Sequence, residues 1–143
     1  MSTATATPSA LSEQQLEAQK ELDQAFCSAM SRKDLDGVMR CLWKDPNLVV
    51  VLWDASVYRG WEAIRAAAQQ LFDTFPVVRL AIDEVSHVPV GDGVVAVGTA
   101  TYDLQAKDGS AVRIVERWTD FRRQINGRWV YVLDHAHELP KLN

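Results

Sequence analysis

RWTDFRRQINGRWVYVLDHAHELP, residues 117–140, decides the fold. Two runs rich in aromatic and β-branched residues flank Asn126-Gly127. A type I′ turn needs φ > 0 at both central residues, which Asn and Gly adopt at least cost, so the stretch reads as a long antiparallel hairpin. A two-residue turn sets the register: Ile125 faces Arg128, Phe121 faces Val132, Thr119 faces Asp134, Trp118 faces His135 and Glu116 faces His137. Facing residues share a side, and successive residues alternate. One face then carries Arg117, Thr119, Phe121, Val130, Val132, Asp134 and Ala136. The other carries Glu116, Trp118, Asp120, Trp129, Tyr131, Leu133, His135 and His137. A bulge would swap the faces locally.

Outward from this hairpin the period of two extends back to Val77. Strands are expected over Val77 to Val90, Val94 to Ala106, Ala111 to Gln124 and Arg128 to Glu138, joined at Gly91-Asp92-Gly93, Asp108-Gly109 and Asn126-Gly127. Before Val77 the spacing is helical. Ser12 with Gln15 is a capping-box pattern opening a helix with Leu16, Leu22, Phe26, Ala29 and Met30 on one stripe. Asp34 can cap a second, shorter helix, which Asp45-Pro46-Asn47 ends. Leu48 to Trp53 and Val57 to Arg59 form a small hairpin. A third helix follows Gly60, from Trp61 to about Phe75, closed by Pro76. The order predicts an α+β domain: three N-terminal helices packed on a curved antiparallel sheet, forming a cone with an apolar pocket. The boundaries expected are a disordered tail over 1–11, rich in Ser, Thr, Ala and Pro, and a single domain over 12–143.

The formal net charge of −4 offers no basic stripe for phosphates, which argues against a nucleic-acid partner. No apolar run is long enough to cross a bilayer, so no membrane partner is expected. Cys27 and Cys41 lack CxxC spacing and read as small buried side chains suited to a reducing compartment. With no signal-peptide pattern at MSTATATPSA, the expected location is cytoplasmic.

Counting Asp108-Gly109 as a two-residue turn puts Tyr102 opposite Val115, Ala100 opposite Arg117, Gly98 opposite Thr119 and Ala96 opposite Phe121. A row of small residues leaves volume above the sheet, so the Arg117 face is taken as the inside. Tyr102, Arg117, Thr119 and Asp134 would then converge in an apolar cone, where a buried aspartate can serve as acid or base. The alternative is a structural Arg117–Asp134 ion pair in a filled core. Trp53 and Tyr58 belong to the pocket mouth or to the core. The opposite face is too apolar for open water and is expected to meet a second copy in a homodimer. His135 and His137 share that face with Glu116 and Asp120. A metal there is the weaker alternative to interface or pocket-rim histidines, and the expected metal and cofactor complement is none. His87, alone on its strand, is expected simply to be hydrogen-bonded.

Asp34-Leu35-Asp36, Val57-Tyr58-Arg59-Gly60 before Glu62-Ala63-Ile64, Arg117-Trp118-Thr119-Asp120, Asn126-Gly127-Arg128-Trp129 and Asp134-His135-Ala136 are specific in their order and spacing. The chain from about Leu16 to Pro140 thereby resembles the SnoaL-like and ketosteroid-isomerase-like branch of the nuclear transport factor two-like superfamily. The resemblance implies a cone with an apolar pocket and a dimer through the sheet. Ketosteroid isomerases use a tyrosine on the first helix and a carboxylate base on an early strand. The matching positions here are Phe26 and Val51 to Trp53, with Asp54 the nearest carboxylate, so the resemblance argues against steroid isomerisation by that mechanism. SnoaL-type cyclases use a late-strand aspartate, which implies Asp134.

Fold alone does not transfer a reaction. The function expected is binding of a small apolar or aromatic molecule in the cone. If there is catalysis, it would be cofactor-free isomerisation, cyclisation or dehydration by proton transfer, with Asp134 as acid/base and Arg117 tuning it. Tyr102, Thr119, His135, Trp53, Tyr58 and Phe26 are the expected ligand contacts. The alternative is a non-catalytic binding or dimerisation module.

Overall fold

Ser12 accepts the Gln15 backbone N–H at 3.1 Å while the Gln15 side chain takes the Ser12 N–H at 3.0 Å, and helix α1 (Glu13–Ser31) starts there. Asp34 opens α2 (Leu35–Arg40) by accepting the Gly37 N–H at 3.1 Å. β1 (Val49–Val51) and β2 (Val57–Arg59) form the small hairpin, and α3 (Trp61–Thr74) follows Gly60. Then come β3 (Val77–Val90), β4 (Gly93–Gln105), β5 (Ala111–Ile125) and β6 (Arg128–Glu138). The structure, a computed structural model, describes residues 10–141, so the tail expected over 1–11 falls almost wholly outside the described residues. The fold is α+β, with the N-terminal helices packed on a curved six-stranded sheet of order β2-β1-β6-β5-β4-β3. β1 runs parallel to β6 and joins the first hairpin to the four-strand meander.

The Asn126-Gly127 turn is as expected: Ile125 pairs with Arg128, and both turn residues have positive φ (52° and 78°). Two other registers differ. At the β4–β5 connection only Gly109 has positive φ (87°), and the loop holds three residues rather than two. Ala106 N–H donates to Ser110 O at 2.9 Å, and Gly109 N–H to Ala106 O at 2.9 Å. This is the longer hairpin loop, a tight turn followed by one left-handed residue. Asp108 fixes it by accepting the Ser110 N–H at 2.9 Å and the Ser110 hydroxyl at 2.6 Å. Tyr102 therefore pairs with Ile114, Ala100 with Glu116, Gly98 with Trp118 and Ala96 with Asp120.

The second difference is a bulge in β6. Arg122 pairs with Tyr131 and Phe121 with Leu133, leaving Val132 as an extra residue. Beyond it Thr119 faces His135, Asp120 faces Asp134 and Trp118 faces Ala136. The two offsets, each of one residue, cancel between β4 and β6 but invert β5. The inner face consequently carries Tyr102, Ala100 and Ala96 from β4, and Ile114, Glu116, Trp118, Asp120 and Arg122 from β5, all buried. It also carries Asp134 and Ala136 from β6. The indole of Trp118 occupies the space over Gly98: a Cβ there would stand 2.7 Å from Trp118 Cζ2 and would collide with the Glu84 carbonyl oxygen. The outer face carries the exposed Arg117, Thr119, His135 and His137, with Val115 and Leu133.

Candidate functional site

The cone narrows from an apolar mouth to a charged floor. α1 supplies Phe26 and Met30, the β1–β2 hairpin supplies Val50, Trp53 and Tyr58, and α3 with its C-cap supplies Ile64, Leu71 and Phe75. They enclose about 280 Å³, and the cavity ends on Tyr102 and Asp134. The Trp53 and Tyr102 rings lie 4.9 Å apart at 48°, closing one wall. A deeper space of about 30 Å³ continues past Asp134 to Glu116, Asp120, Trp118 and Tyr131. A larger groove of about 490 Å³ lies between α1, α2 and the β5–β6 turn, but Arg32, Arg40 and Arg128 on its walls are solvent-exposed and it holds no buried acid.

The floor is built around Arg122, which is 0% exposed. Its Nε donates to Asp120 Oδ1 at 2.8 Å and its Nη2 to Asp120 Oδ2 at 3.1 Å, a two-pronged clamp. From the other side Asp23 of α1 takes Nη1 at 3.1 Å and Nη2 at 2.7 Å. Tyr131 Oη–H donates to Asp23 Oδ1 at 2.6 Å. The guanidinium also faces the Tyr131 and Trp118 rings, at 5.1 and 5.9 Å. Burial opposes its charge, but the hydrogen bonds and charge of Asp120, with Tyr131 and Asp23, outweigh that and raise its pKa.

The acids have less support. Burial pushes Glu116 up to about 7. Burial raises Asp120 to about 6, against the hydrogen bonds and charge of Arg122. Asp134 is raised well above the usual carboxyl range, first by burial and then by the charges of Asp120 and Glu116. Tyr102 is also raised, mainly by burial. Two carboxyl groups, on Glu116 and Asp134, thus border an apolar space with no cation of their own. In that setting burial shifts both groups toward the protonated, hydrogen-bond-donating form.

The residues expected from sequence divide into two sets. Asp134, Tyr102, Trp53, Tyr58 and Phe26 all line the cavity. Arg117, Thr119 and His135 do not: all three are exposed on the outer face. For Arg117 and Thr119 the reason is that the three-residue β4–β5 loop and the Val132 bulge invert β5 relative to its neighbours, whereas His135 keeps on β6 the outer-face position that strand parity gives it. No Arg117–Asp134 pair forms; Arg122, two positions from Asp120, supplies the buried cation. The pairing of His135 and His137 with Glu116 and Asp120 also fails, since those carboxyls point inward. Among the described residues no cluster of three or more His, Cys, Asp or Glu is arranged to hold a metal. Trp118 and Tyr131 are inside rather than on the outer surface. Asp54 sits exposed at the rim, where hydrogen bonds from Ser56 hold its carboxylate below the usual range.

His87 also departs from expectation. Its side chain turns inward, with Nε2 3.9 Å from Asp23 Oδ2 and no hydrogen-bond partner. Burial first, then the Arg122 charge, lower its pKa and keep the ring neutral. Asp23 itself was legible in principle, since Gln19 and Asp23 fall at i, i+4 on the buried stripe of α1 with Leu22 and Met30. A polar residue inside an apolar helical stripe signals a buried partner.

The family model described as the SnoaL-like domain matches residues 24–132. No curated protein matches the chain. Among solved structures, a proposed aromatic ring hydroxylase from Novosphingobium aromaticivorans superposes with TM-score 0.84 at 19% identity, covering 94% of this chain and 95% of that one. A nuclear transport factor 2-like superfamily protein from Salmonella enterica serovar Typhimurium gives 0.80 at 17% identity, covering 89% and 92%. A proposed dehydratase of the same family from Streptomyces avermitilis gives 0.77 at 18%, covering 90% and 99%. At such identities the likeness establishes the fold, and the differing names carry no activity across to this chain.

Proposed function

We propose, taking as premise that this chain belongs to the SnoaL-like domain family, that its cone binds a neutral apolar or aromatic molecule and moves a proton on it, with Asp134 as the acid/base. The observation that carries this reading is an apolar cavity of about 280 Å³ ending on a carboxyl group whose pKa is raised by burial and by two neighbouring acids. That volume is just below the usual range for small-molecule pockets, ~300–1,000 Å³, and suits a compact ring system. Arg122, the one buried guanidinium among the described residues, is already divided between Asp23 and Asp120, so it gives the site no free cation and a neutral ligand is favoured over an anion.

Protonated Asp134, the form that burial favours, donates to a carbonyl or leaving hydroxyl, and Tyr102 beside it is a second donor. Glu116, at about 7, is poised to take a proton near neutrality. This chemistry belongs to isomerisation, cyclisation or dehydration and needs only carboxyl and hydroxyl groups. The test is solvent deuterium exchange at the α-carbon of neutral one- to three-ring aromatic ketones, tetralones first. Wild type should exceed Asp134→Asn by about 100-fold, the low end for general acid–base catalysis. Equal rates for bound ketones would reduce the site to a binding module.

The same proposal extends to assembly and location. On the outer face Val88 is 49% exposed, Leu133 43% and Val115 36%, and we assign this surface to a second copy. Leu133→Glu should then convert a dimer to a monomer in light scattering; an unchanged mass would refute the assignment. No helix among the described residues is long and apolar enough to cross a membrane. Cys27 and Cys41 are free thiols that burial pushes up to about 12 and about 11, which suits a reducing cytoplasm.

A further inference from the structure

Helix α1 reaches the floor of the cone through one side chain. Asp23, nearly buried, takes two donors of Arg122 and the hydroxyl of Tyr131, while Asp120 takes the other edge of the same guanidinium. The remaining contact, Nη1 to the Gln19 carbonyl oxygen at 3.3 Å, leaves Arg122 no donor to spare. Asp120 lies directly opposite Asp134 in the β5–β6 pairing. One buried positive charge is therefore shared along the line Asp23–Arg122–Asp120, and Asp134 stands at its end.

We propose that Asp23 is a positioning residue for Asp134: by holding one edge of the Arg122 guanidinium, it limits the positive charge that reaches Asp120 and Asp134 and so keeps Asp134 in its acid form. The role rests on the reading of Asp134 as the working acid. Asp134 is faced by Asp120, Glu116 and Arg122 from β5 and by Tyr102 from β4. Asp23 is faced by His87 from β3, Tyr131 from β6, Arg122 and Asp120 from β5, and Cys27 on its own helix; Lys20 stands near His87. Asp23 and Asp120 grip the guanidinium from opposite sides, so neither leaves it free to turn toward Asp134. Without Asp23, Arg122 answers Asp120 alone, and Asp134 loses part of the field that retains its proton.

Tyr131→Phe acts in the opposite sense. Asp23 loses the hydroxyl at Oδ1, draws the guanidinium toward α1, and leaves Asp134 holding its proton to higher pH. Protein labelled with carbon-13 at the aspartate carboxyls reads this directly, with the Asp134 signal assigned by its loss in Asp134→Asn and no ligand present. Asp23→Asn should lower the Asp134 midpoint by about one unit, the low end for a change in a neighbouring charge. Asp23→Glu should restore it, and Tyr131→Phe should raise it by less. A folded Asp23→Asn protein with an unmoved midpoint overturns the proposal. If that variant does not fold, a Tyr131→Phe midpoint that stays or falls does the same. Because no ligand is involved, such a failure leaves the proton-transfer reading standing, and loss of that reading through Asp134→Asn turnover leaves this charge coupling standing. A wild-type midpoint in the ordinary carboxyl range removes both.

Discussion

The mouth and the floor of the cone are built on opposite principles. At the mouth Phe26, Trp53, Tyr58, Leu71 and Phe75 enclose space with apolar surface, and no single polar contact defines it. At the floor Asp23, Asp120 and Arg122 are locked by hydrogen bonds and ion pairs between 2.7 and 3.3 Å, with carboxyl groups beside them that lack a cation. Apolar walls tolerate exchange of one hydrophobic residue for another, whereas a buried charge network fails when one member is removed. Affinity is thus expected to reside at the mouth, and stability, pH response and chemistry at the floor.

The sharpest break comes at the floor. Arg122→Met strands Asp23 and Asp120 in a buried site and should cost about 3–5 kcal/mol, read as a lower urea midpoint; a loss below about 1 kcal/mol would mean that the two acids simply neutralise themselves. Next comes pH. Glu116 has an ordinary value of 4.5 and sits at about 7 in the folded protein. Below pH 4.5 both states are protonated. As pH rises toward 7 the unfolded state releases its proton first, so stability falls across that window. At ~1.4 kcal/mol per unit, the loss attributable to Glu116 is about 3 kcal/mol. Asp120 falls in the same direction between 3.8 and about 6. Glu116→Gln should flatten the pH dependence of the denaturation midpoint, and an unaltered slope would assign it elsewhere.

A smaller effect is expected between the two regions, where Trp118 lies over Gly98. Gly98→Ala places a methyl against Trp118 and the Glu84 carbonyl and should cost about 1–3 kcal/mol by overpacking, visible in thermal unfolding. The mildest change is at the mouth. Trp53→Ala removes the partner of Tyr102 and should weaken binding of a neutral fluorescent probe such as Nile red by roughly tenfold, equivalent to ~1.4 kcal/mol. Asp134→Asn should leave that affinity within about twofold, since one polar atom replaces another of like shape. Should Asp134→Asn instead abolish binding, the division of labour between the two ends would be wrong.

The mouth was legible in the sequence because it follows from periodicity. Ser12 with Gln15, Asp34 and the Trp61-to-Phe75 stripe set the helices, and their apolar faces set the walls. Half of the floor was legible too, since Tyr102 and Asp134 lie inside as expected. They do so through two one-residue departures that cancel between β4 and β6, so the strand between them was read inside out. One departure had a signal: Ser110 stands two residues after Asp108, where its N–H and hydroxyl satisfy the aspartate and favour the longer loop. The other had none. Trp129 to Leu133 is apolar throughout, and a run without alternation fits either parity equally well. Glu116 and Asp120 therefore fall on the wrong side when parity is counted from the turns, although each falls on the correct strand.

Val132 works as a frameshift written in space rather than in codons. Downstream of that single surplus residue, the carboxyl of Asp134 joins the interior and the imidazole of His135 goes to the surface. Lengthening or shortening β6 by one residue at this point would exchange the two sets while every strand kept its neighbours. Solvent-facing and cavity-facing vocabularies on this ribbon are thus separated by one inserted amino acid.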